Sequence, residues 1–420
     1  MFKKNFSLTN WLEYLSKQHH KTIDLDLNRI SIVAKRLNLL ELSPTVITVA
    51  GTNGKGTTCH LLEKIFLYAG LKVGVYNSPH LIDYRERVRI QGDLLDESKY
   101  CDVFDAIEFA RGDVSLTYFE YGTLAALLLF KYAQLDVIIL EVGLGGRLDA
   151  TNIIDSTISV ITNIALDHVN WLGDNVEQIG YQKSGIFRAN CYAVIGECNI
   201  PNSVYHTAKL VNTKLFCYGK DWYIDINDKN WNWYSLDHNY KNLSFPQIPL
   251  ANASTALAVI KCLTQTDIIL KKKISLEAIQ YALLYAKLPG RFHIINHAPQ
   301  IILDVAHNPH AASYLANKLS KLSKYKNSKI FAVIGMLIDK DIKNTLLYLS
   351  PYIDHWYLAS LNEARGASAD ELAQYVNSSS KFITVKDAWT QVLSDVSIND
   401  IIIVCGSFHT VAEVMKLYIK

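Results

Sequence analysis

A glycine-rich turn between a predicted strand and a predicted helix constrains the fold of this chain more than any other feature. The apolar run at residues 46–49 stops before Gly51, the turn occupies residues 51–57, and a helical pattern covers residues 59–69. A strand, a glycine turn and a helix in this order are the context of a phosphate-binding loop. Glycines let the backbone approach an anion, and the N-terminus of the helix directs free N–H groups towards it. The sequence therefore predicts an α/β fold with a phosphate site at this turn.

The turn also carries side chains that suit a phosphate site. Lys55, between Gly54 and Gly56, supplies a positive charge, and Thr57 or Thr58 offers a hydroxyl to a phosphate or to Mg²⁺. The turn departs from the standard pattern, which has glycine where Val49 stands and serine or threonine directly after the lysine. A tight turn that only packs a helix on a strand is the alternative interpretation.

Length, charge and cysteine content restrict the class of protein. A chain of 420 residues predicts two domains, and a net charge of +2 gives no electrostatic argument for nucleic-acid binding. The seven cysteines form no C-x-x-C pair, which indicates reduced thiols in a cytoplasmic protein. No signal peptide is expected, and the apolar run at residues 124–130 is too short to span a membrane.

Polar residues follow several predicted strands of the same sheet. The strand at residues 72–76 leads into Ser78 and His80, and a buried-type strand at residues 137–142 carries Glu141 near its end. Because the carboxyl ends of parallel strands meet at one edge, these residues are expected near the phosphate site. A buried acid there needs a cation, which makes Glu141 a candidate ligand of Mg²⁺. A structural carboxylate paired with an arginine is the other interpretation.

His168 and Lys183 extend this set of candidates. His168 follows a predicted strand at residues 157–161 and can reach the same edge, although a loop histidine is usually a surface residue. Lys183 lies on a predicted helix at residues 175–187. The charged residues within 85–89 alternate with apolar ones, and the solvent face of a strand explains them as well as a functional role does.

The pattern of predicted strands and helices changes in the second half of the chain. Residues 217–245 are predicted to form hairpins whose tryptophans fill a core, and the Pro-Gly pair at residues 289–290 predicts a domain boundary. Beyond the boundary, alternating strands and helices predict a doubly wound, mostly parallel, Rossmann-like domain. Its strands are expected at residues 301–305, 329–334, 353–358, 381–385 and 401–405, and its helices at residues 310–322, 341–349, 368–376, 387–395 and 409–419.

Several motifs occur in one order along nearly the whole chain. They are GTNGKGTT (51–58), NSPHL (77–81), TYFEYGT (117–123), EVGLGGRLDATN (141–152), LDH (166–168), KSGIFR (183–188), LPGRF (288–292), DVAHNPHAA (304–312) and GSFHT (406–410). In this combination the chain resembles the folylpolyglutamate synthase family, which is related to the Mur ligases. The resemblance implies an N-terminal P-loop-type ATPase domain with a parallel sheet over residues 1–287. It implies a C-terminal glutamate-ligase domain over residues 288–420, with ATP bound between the two domains.

The activity that the resemblance implies is that of an ATP-dependent acid–amino-acid ligase. A carboxylate of the acceptor attacks the γ-phosphorus of ATP and becomes an acyl phosphate, from which the amine of L-glutamate displaces phosphate. The implied acceptors are dihydropteroate and tetrahydrofolates, and the family implies a monomer. Three alternatives stay open: a monofunctional folylpolyglutamate synthase, a Mur-type amino-acid ligase, and a nucleotide-binding regulatory module that lacks chemistry.

The resemblance also assigns roles to individual residues. Those implied for ATP are Gly54, Lys55, Gly56, Thr57, Asn252, Arg291, Asp304 and His307. Those implied for Mg²⁺ are Ser78, Glu141 and His168, and those implied for catalysis are Lys55, His168 and Lys183, the last as a carbamylated lysine. Those implied for the pterin substrate are Asp26, Leu27, Arg29, Thr117, Tyr118, Phe119, Glu120, Leu148, Asp149 and Ala150. L-Glutamate is expected near His307 and Ser407, and a monovalent cation such as K⁺ is an additional candidate cofactor.

Overall fold

A computed structural model describes residues 6–323 and 328–418 of the chain. These residues form two compact units. The first unit contains the chain up to Leu166 together with Leu172–Ala286, and the second contains Asp167–Trp171 together with the chain from Lys287 onwards. Among the described residues, no helix is long and apolar enough to cross a membrane.

The elements of the first part of the chain, up to residue 286, are as follows. The strands are β1 (Thr45–Ala50), β2 (Val73–Tyr76), β3 (Val88–Ile90), β4 (Asp93–Leu94), β5 (Val137–Glu141), β6 (Ile158–Ile161), β7 (Tyr192–Ile195), β8 (Lys214–Cys217), β9 (Trp222–Ile226), β10 (Trp231–Ser235) and β11 (Asn239–Leu243). The helices are α1 (Leu8–Ser16), α2 (Asn28–Arg36), α3 (Lys55–Tyr68), α4 (Glu97–Arg111), α5 (Tyr118–Ala133), α6 (Val169–Leu172), α7 (Val176–Lys183), α8 (Asn202–Val211), α9 (Leu250–Thr266), α10 (Ile268–Lys273) and α11 (Leu276–Tyr285). Short 3₁₀ turns occupy Tyr84–Arg87, Ala150–Ile153 and Ser184–Ile186.

An eight-stranded sheet in the order β4-β3-β2-β5-β1-β6-β7-β8 forms the centre of the first unit. From β2 to β8 the neighbouring strands are parallel, and β3 and β4 extend one edge in antiparallel fashion. β1 therefore lies in the middle of the sheet, and its register pairs Val49 with Glu141 and Ala50 with Ile161. This register brings the ends of β1, β5 and β6 to one edge, as the sequence predicts.

The strands of this sheet are buried on both sides because helices cover both of its faces. Along β1, Ile47 and Val49 pack in one hydrophobic cluster and Val46 in another, as the two-residue period of a strand requires. The small antiparallel sheet β9-β10-β11 joins the first cluster through Trp222, Trp231 and Trp233, whose side chains are fully buried. These tryptophans fill a core, as predicted.

The second unit holds the remaining elements. Its strands are β12 (His293–His297), β13 (Gln300–Leu303), β14 (Ile330–Ile334), β15 (His355–Ala359), β16 (Ser379–Phe382) and β17 (Ile401–Cys405). Its helices from residue 287 onwards are α12 (Pro309–Ser323), α13 (Ile342–Leu349), α14 (Ala369–Ala373), α15 (Val385–Asp395) and α16 (Phe408–Tyr418), with a 3₁₀ turn at Ser350–Tyr352. The predicted helix 409–419 runs into residue 419, which lies outside the described residues.

The sheet of the second unit has six strands in the order β12-β13-β17-β14-β15-β16. Its strands are parallel except β12, which pairs antiparallel with β13 at the edge. The predicted doubly wound, mostly parallel sheet is thus confirmed. The sequence analysis assigned no strand to β12, whose residues are only partly buried and lack a run of buried apolar side chains.

Candidate functional site

The glycine turn links β1 to α3 and keeps the conformation that an anion-binding loop needs. Gly54 lies at φ +81°, in the left-handed region that favours glycine, and a Cβ there would come within 2.1 Å of Asn252 Nδ2. The amide of Asn252 donates to the Gly54 carbonyl at 3.3 Å. Lys55 begins α3, and its Nζ donates to the carbonyls of Gly51 and Thr52 at 3.1 and 3.3 Å. The predicted nucleotide residues Gly54, Lys55 and Asn252 therefore lie together.

Residues after β6 anchor this turn, and the sequence analysis did not identify them. Asn163 accepts a hydrogen bond from the backbone N–H of Asn53 at 3.0 Å and donates one to its carbonyl at 2.9 Å. Thr162 donates to the same carbonyl at 2.7 Å. Both side chains follow a strand at the carboxyl edge of the sheet, and this placement was the signal that could have revealed them.

Glu141, at the end of β5, is almost fully buried and faces the first turn of α3. Its Oε2 accepts hydrogen bonds from Asn77 Nδ2 at 2.9 Å and from the Ser78 backbone N–H at 3.1 Å. A Cβ on Gly56 would lie 3.4 Å from Oε2 and 3.6 Å from Oε1. Within the described parts of the chain, no arginine makes a salt bridge with Glu141, so the interpretation as an arginine-paired carboxylate is not what the structure shows.

The chemistry of this carboxylate fits Mg²⁺. In residues 6–323 and 328–418, no group of three or more His, Cys, Asp or Glu side chains could hold a metal ion. Mg²⁺ is commonly bound by one or two protein carboxylates together with substrate phosphates and water. Glu141, beside Ser78 and the phosphate turn, supplies such a carboxylate oxygen.

Lys183 ends α7 and is only 3% exposed, so it is not an ordinary surface lysine. Its charge acts on Glu197, a carboxyl group that follows β7 and accepts the Ile164 backbone N–H at 2.7 Å. Burial raises the pKa of Glu197 to about 7, while the Ile164 N–H and the Lys183 ammonium oppose this rise. Glu197 escaped the sequence analysis because no motif contains it.

Asp167 organises a buried charged cluster in the second unit. It accepts hydrogen bonds from Lys340 Nζ at 2.7 Å and from Asn308 Nδ2 at 3.0 Å, and His307 Nε2 lies 3.6 Å away. Burial alone would raise the pKa of Asp167, but its interactions with the His307 ring and with the Lys340 ammonium hold this pKa well below its usual range. The two histidines predicted for the site, His168 and His307, therefore share one neighbour.

Lys340 also contacts His168 and was not predicted. Lys340 Nζ lies 3.1 Å from His168 Nε2. An ammonium group only donates, so this nitrogen of His168 accepts and carries no proton. Histidine binds metals through an unprotonated nitrogen, and the Mg²⁺ role implied for His168 stays a prediction. The signal in the sequence is weak, because Lys340 lies in the loop after β14, which contains none of the motifs that carry the resemblance to the family.

Three further predicted residues lie in the second unit, and two of them lie beside Phe408, which was not predicted. Arg291 places its guanidinium 5.3 Å from the centre of the Phe408 ring, and the His307 ring lies 6.2 Å from it. Asp304 is buried and accepts the backbone N–H groups of Phe292 and Ala306 at 2.8 and 2.9 Å. Burial raises the pKa of Asp304, and Arg291 opposes the rise.

Ser407 has a clear local role at the start of α16. Its side chain is buried, and its hydroxyl accepts the Thr410 backbone N–H at 3.0 Å. The Thr410 hydroxyl lies 2.8 Å from the same oxygen. Ser407 thus caps the helix, and its predicted contact with L-glutamate stays a prediction.

The residues predicted for the pterin form a polar and an apolar group in the first unit. Arg29 bridges Asp26 at 3.4 Å and Glu120 at 3.3 Å. Glu120 and Thr117 cap α5 through reciprocal side-chain hydrogen bonds, and Leu27 precedes α2. The apolar group consists of Tyr118, Phe119 and Ala150, which share a hydrophobic cluster.

The other two residues predicted for the pterin differ in exposure. Asp149 is buried and caps the 3₁₀ turn at Ala150–Ile153, whereas Leu148 is 40% exposed. Arg87, which belongs to the charged run at residues 85–89, lies over the ring of Tyr118 at 5.7 Å. The charged run is therefore not simply the solvent face of a strand.

Comparisons with known proteins decide the family. Residues 49–299 match the Mur ligase middle domain, and residues 290–408 match the Mur ligase glutamate ligase domain. The dihydrofolate synthase/folylpolyglutamate synthase of Escherichia coli (strain K12) is 50% identical over 410 residues, which is 98% of this chain and 95% of that protein. The chain belongs to the dihydrofolate synthase/folylpolyglutamate synthase family. The predicted fold and enzyme class, an ATP-dependent ligase, are thereby confirmed.

Solved structures of the dihydrofolate synthase/folylpolyglutamate synthase family match the whole fold. E. coli FolC in complex with DHPP and ADP has a TM-score of 0.94 and 49% identity, and the match covers 99% of this chain and 98% of that one. A bifunctional folylpolyglutamate synthase/dihydrofolate synthase with Mn, AMPPNP and L-glutamate bound has a TM-score of 0.92 and 50% identity, with 99% of each chain covered. These related structures therefore hold ADP or an ATP analogue, and one of them also holds a divalent metal.

Proposed function

We propose that this chain is a bifunctional enzyme that adds L-glutamate to dihydropteroate and to tetrahydrofolates at the expense of ATP. The observation that carries the proposal is the 50% identity to the E. coli dihydrofolate synthase/folylpolyglutamate synthase over 98% of the chain. It is supported by the DHPP and ADP in one related structure and by the L-glutamate in another. We assign the P-loop-type ATPase domain to residues 1–287 and the glutamate-ligase domain to residues 288–420, which also contributes nucleotide contacts.

The reaction that we propose proceeds in two displacements. An oxygen of the acceptor carboxylate bonds to the γ-phosphorus of ATP, and ADP leaves. The amine of L-glutamate then bonds to the acyl carbon as the bond to phosphate breaks, and the nitrogen keeps one hydrogen as the amide N–H and releases the rest to solvent. A carboxylate is a poor acylating agent, so phosphorylation supplies the leaving group, and the protein contributes positioning and neutralisation of charge.

The residues divide these tasks. Lys55, with the N–H groups at the start of α3, binds the phosphates, together with Gly54, Gly56 and Thr57. Asn252, Arg291, Asp304 and His307 complete the proposed nucleotide contacts. Ser78, Glu141 and His168 are the proposed ligands of Mg²⁺, and the bound ion offsets negative charge on the phosphates.

Lys183 is the proposed site of a carbamate. Its amine would bond to the carbon of CO₂, and protons leave to solvent, which converts a cation into a carboxylate. Its burial beside Glu197 supports a role beyond surface charge, because a buried ammonium needs compensation. K⁺ as a second cofactor, a monomeric enzyme and a cytoplasmic location complete the proposal.

The test is ADP release with ATP, Mg²⁺ and L-glutamate, with dihydropteroate and tetrahydrofolate supplied in separate assays. Turnover that depends on glutamate with both acceptors supports the bifunctional enzyme. Turnover with tetrahydrofolate alone would establish a monofunctional folylpolyglutamate synthase and contradict the proposed dihydropteroate contacts. No ADP release with either acceptor would contradict the proposed function and favour the acceptors of a Mur-type ligase.

A further inference from the structure

A buried chain of hydrogen bonds leads away from Glu141 into the first unit. Arg89 of β3 binds Glu63 of α3 through two nitrogens, with Nη2–Oε2 at 2.8 Å and Nε–Oε1 at 3.0 Å. Arg89 Nη2 also donates to Asn77 Oδ1 at 2.9 Å, and Asn77 Nδ2 donates to Glu141 Oε2 at 2.9 Å. The side chains of Glu63 and Arg89 are only 2% and 17% exposed, so water does not screen this pair strongly.

The donors in this chain fix the orientation of the Asn77 amide. A guanidinium group only donates, so the oxygen of Asn77 must face Arg89 and its NH₂ must face Glu141. The Glu141 carboxylate therefore receives two N–H groups, from Asn77 and from the Ser78 backbone, on the same oxygen. Among the residues that the structure describes, no hydrogen-bond donor to Oε1 is found, and both carboxylate oxygens face Gly56 at the start of α3.

We propose that Asn77, held by the Arg89–Glu63 pair, is a positioning residue that orients Glu141 towards the divalent cation of the bound nucleotide. The inference rests on the metal role proposed above for Glu141. Partners behind a metal ligand fix its rotamer, and their loss typically weakens metal binding about 10- to 100-fold. This chain of hydrogen bonds, called the relay below, gives the buried Arg89–Glu63 salt bridge a role, whereas a solvent-facing strand would need no buried salt bridge.

The experiment measures Mn²⁺ binding directly, by the loss of the free-Mn²⁺ electron paramagnetic resonance signal in the presence of AMPPNP. Asn77→Leu keeps the shape of the side chain but removes both hydrogen bonds. The double variant Glu63→Met/Arg89→Met removes the ion pair without leaving a buried charge unpaired. Both are expected to weaken Mn²⁺ binding about tenfold or more. Binding of AMPPNP with EDTA present should stay within about twofold of wild type, which shows that the variants fold.

Two further variants make the outcome decisive. Arg85→Met is the matched control, because Arg85 pairs with Asp83 on the neighbouring 3₁₀ turn outside the relay, and it should bind Mn²⁺ as wild type does. Glu141→Gln tests the metal role itself. If Glu141→Gln weakens Mn²⁺ binding and the Asn77 and Arg89 variants do not, the positioning role is wrong while the metal role stands. If Glu141→Gln binds Mn²⁺ normally, the proposed metal role fails.

Discussion

At the scale of single residues, Lys55 carries the strongest prediction for catalysis. Its ammonium lies against two carbonyls of the glycine turn, at 3.1 and 3.3 Å, where the helix N-terminus also favours an anion. Lys55→Ala should lower the kcat for ADP release about 100-fold or more, because a charge that stabilises the transferring phosphoryl group is lost. Lys64→Ala, on the same helix, is the control and should keep full activity. Near-normal turnover of Lys55→Ala would refute its phosphate role.

Glu197 makes a prediction about the pH dependence of stability. Burial raises its pKa from 4.5 to about 7 in the folded chain, so the folded protein binds this proton more tightly than the unfolded chain does. The contribution of Glu197 to the free energy of unfolding should therefore be largest below pH 4.5 and be lost as the pH rises through about 7, a loss of up to about 3 kcal/mol. Glu197→Gln lacks this titration.

Urea unfolding of wild type and Glu197→Gln at pH 5 and pH 8 measures this effect. The free energy of unfolding of the Gln variant should gain about 2.5 kcal/mol relative to that of wild type between pH 5 and pH 8. A constant difference between the two proteins would show that the carboxyl group titrates normally in the folded chain.

At the scale of elements, the turn between β1 and α3 allows two effects of a glycine substitution to be measured separately. One is the backbone strain of a side chain at positive φ, and the other is the clash of the new Cβ with a neighbouring residue. Gly54 lies at φ +81°, and a Cβ there would come within 2.1 Å of Asn252 Nδ2. Gly54→Ala should destabilise the protein by about 1–2 kcal/mol and also prevent ADP binding, because Asn252 and the turn must move apart. Gly70→Ala is the matched control. Gly70 has φ +71°, but a Cβ there meets nothing within 4 Å.

Gly70→Ala should therefore lower the free energy of unfolding about as much as Gly54→Ala does, but it should leave ADP binding unchanged. Calorimetric titration with ADP and thermal unfolding of both variants provide the measurements. Normal ADP affinity in Gly54→Ala would mean that the turn tolerates a side chain and that its glycine is not required for the nucleotide.

The order of elements could be predicted from the sequence where apolar periodicity is strong, and not elsewhere. The pattern placed the start of α3 at residue 59, but the helix begins at Lys55, because its first turn buries Thr57 and Thr58 instead of apolar side chains. β8 was not predicted, since its apolar run, residues 215–217, is only three residues long and two of these side chains are only partly buried. α8, which follows Pro201, was also not predicted.

The candidate site shows the same limit. Motifs identified residues that follow strands, such as Glu141 and His168, because topology alone brings them to one edge. They did not identify Lys340, which lies 173 residues from its partner Asp167. Contacts of this kind depend on side-chain packing, which a single sequence does not reveal, whereas the resemblance to a known family supplied roles that periodicity could not.

At the scale of the whole molecule, the two units have separate hydrophobic cores. We therefore expect a core substitution to destabilise mainly the unit that contains it. Trp233 is fully buried in the first unit and donates its indole N–H to the Ser254 carbonyl at 3.1 Å. Leu346 is fully buried in the core of the second unit. Trp233→Ala and Leu346→Ala should cost about 3–5 and about 2–5 kcal/mol respectively, from lost burial and the cavities left behind.

Hydrogen exchange followed by mass spectrometry shows where each loss occurs, since cooperative units open with their own free energies. Trp233→Ala should speed exchange in β1 and β6 and spare β14 and β15, and Leu346→Ala should do the reverse. Equal acceleration in both sheets for either variant would therefore mean that the chain unfolds as one cooperative body. Its two cores would then be coupled by more than the chain that connects them.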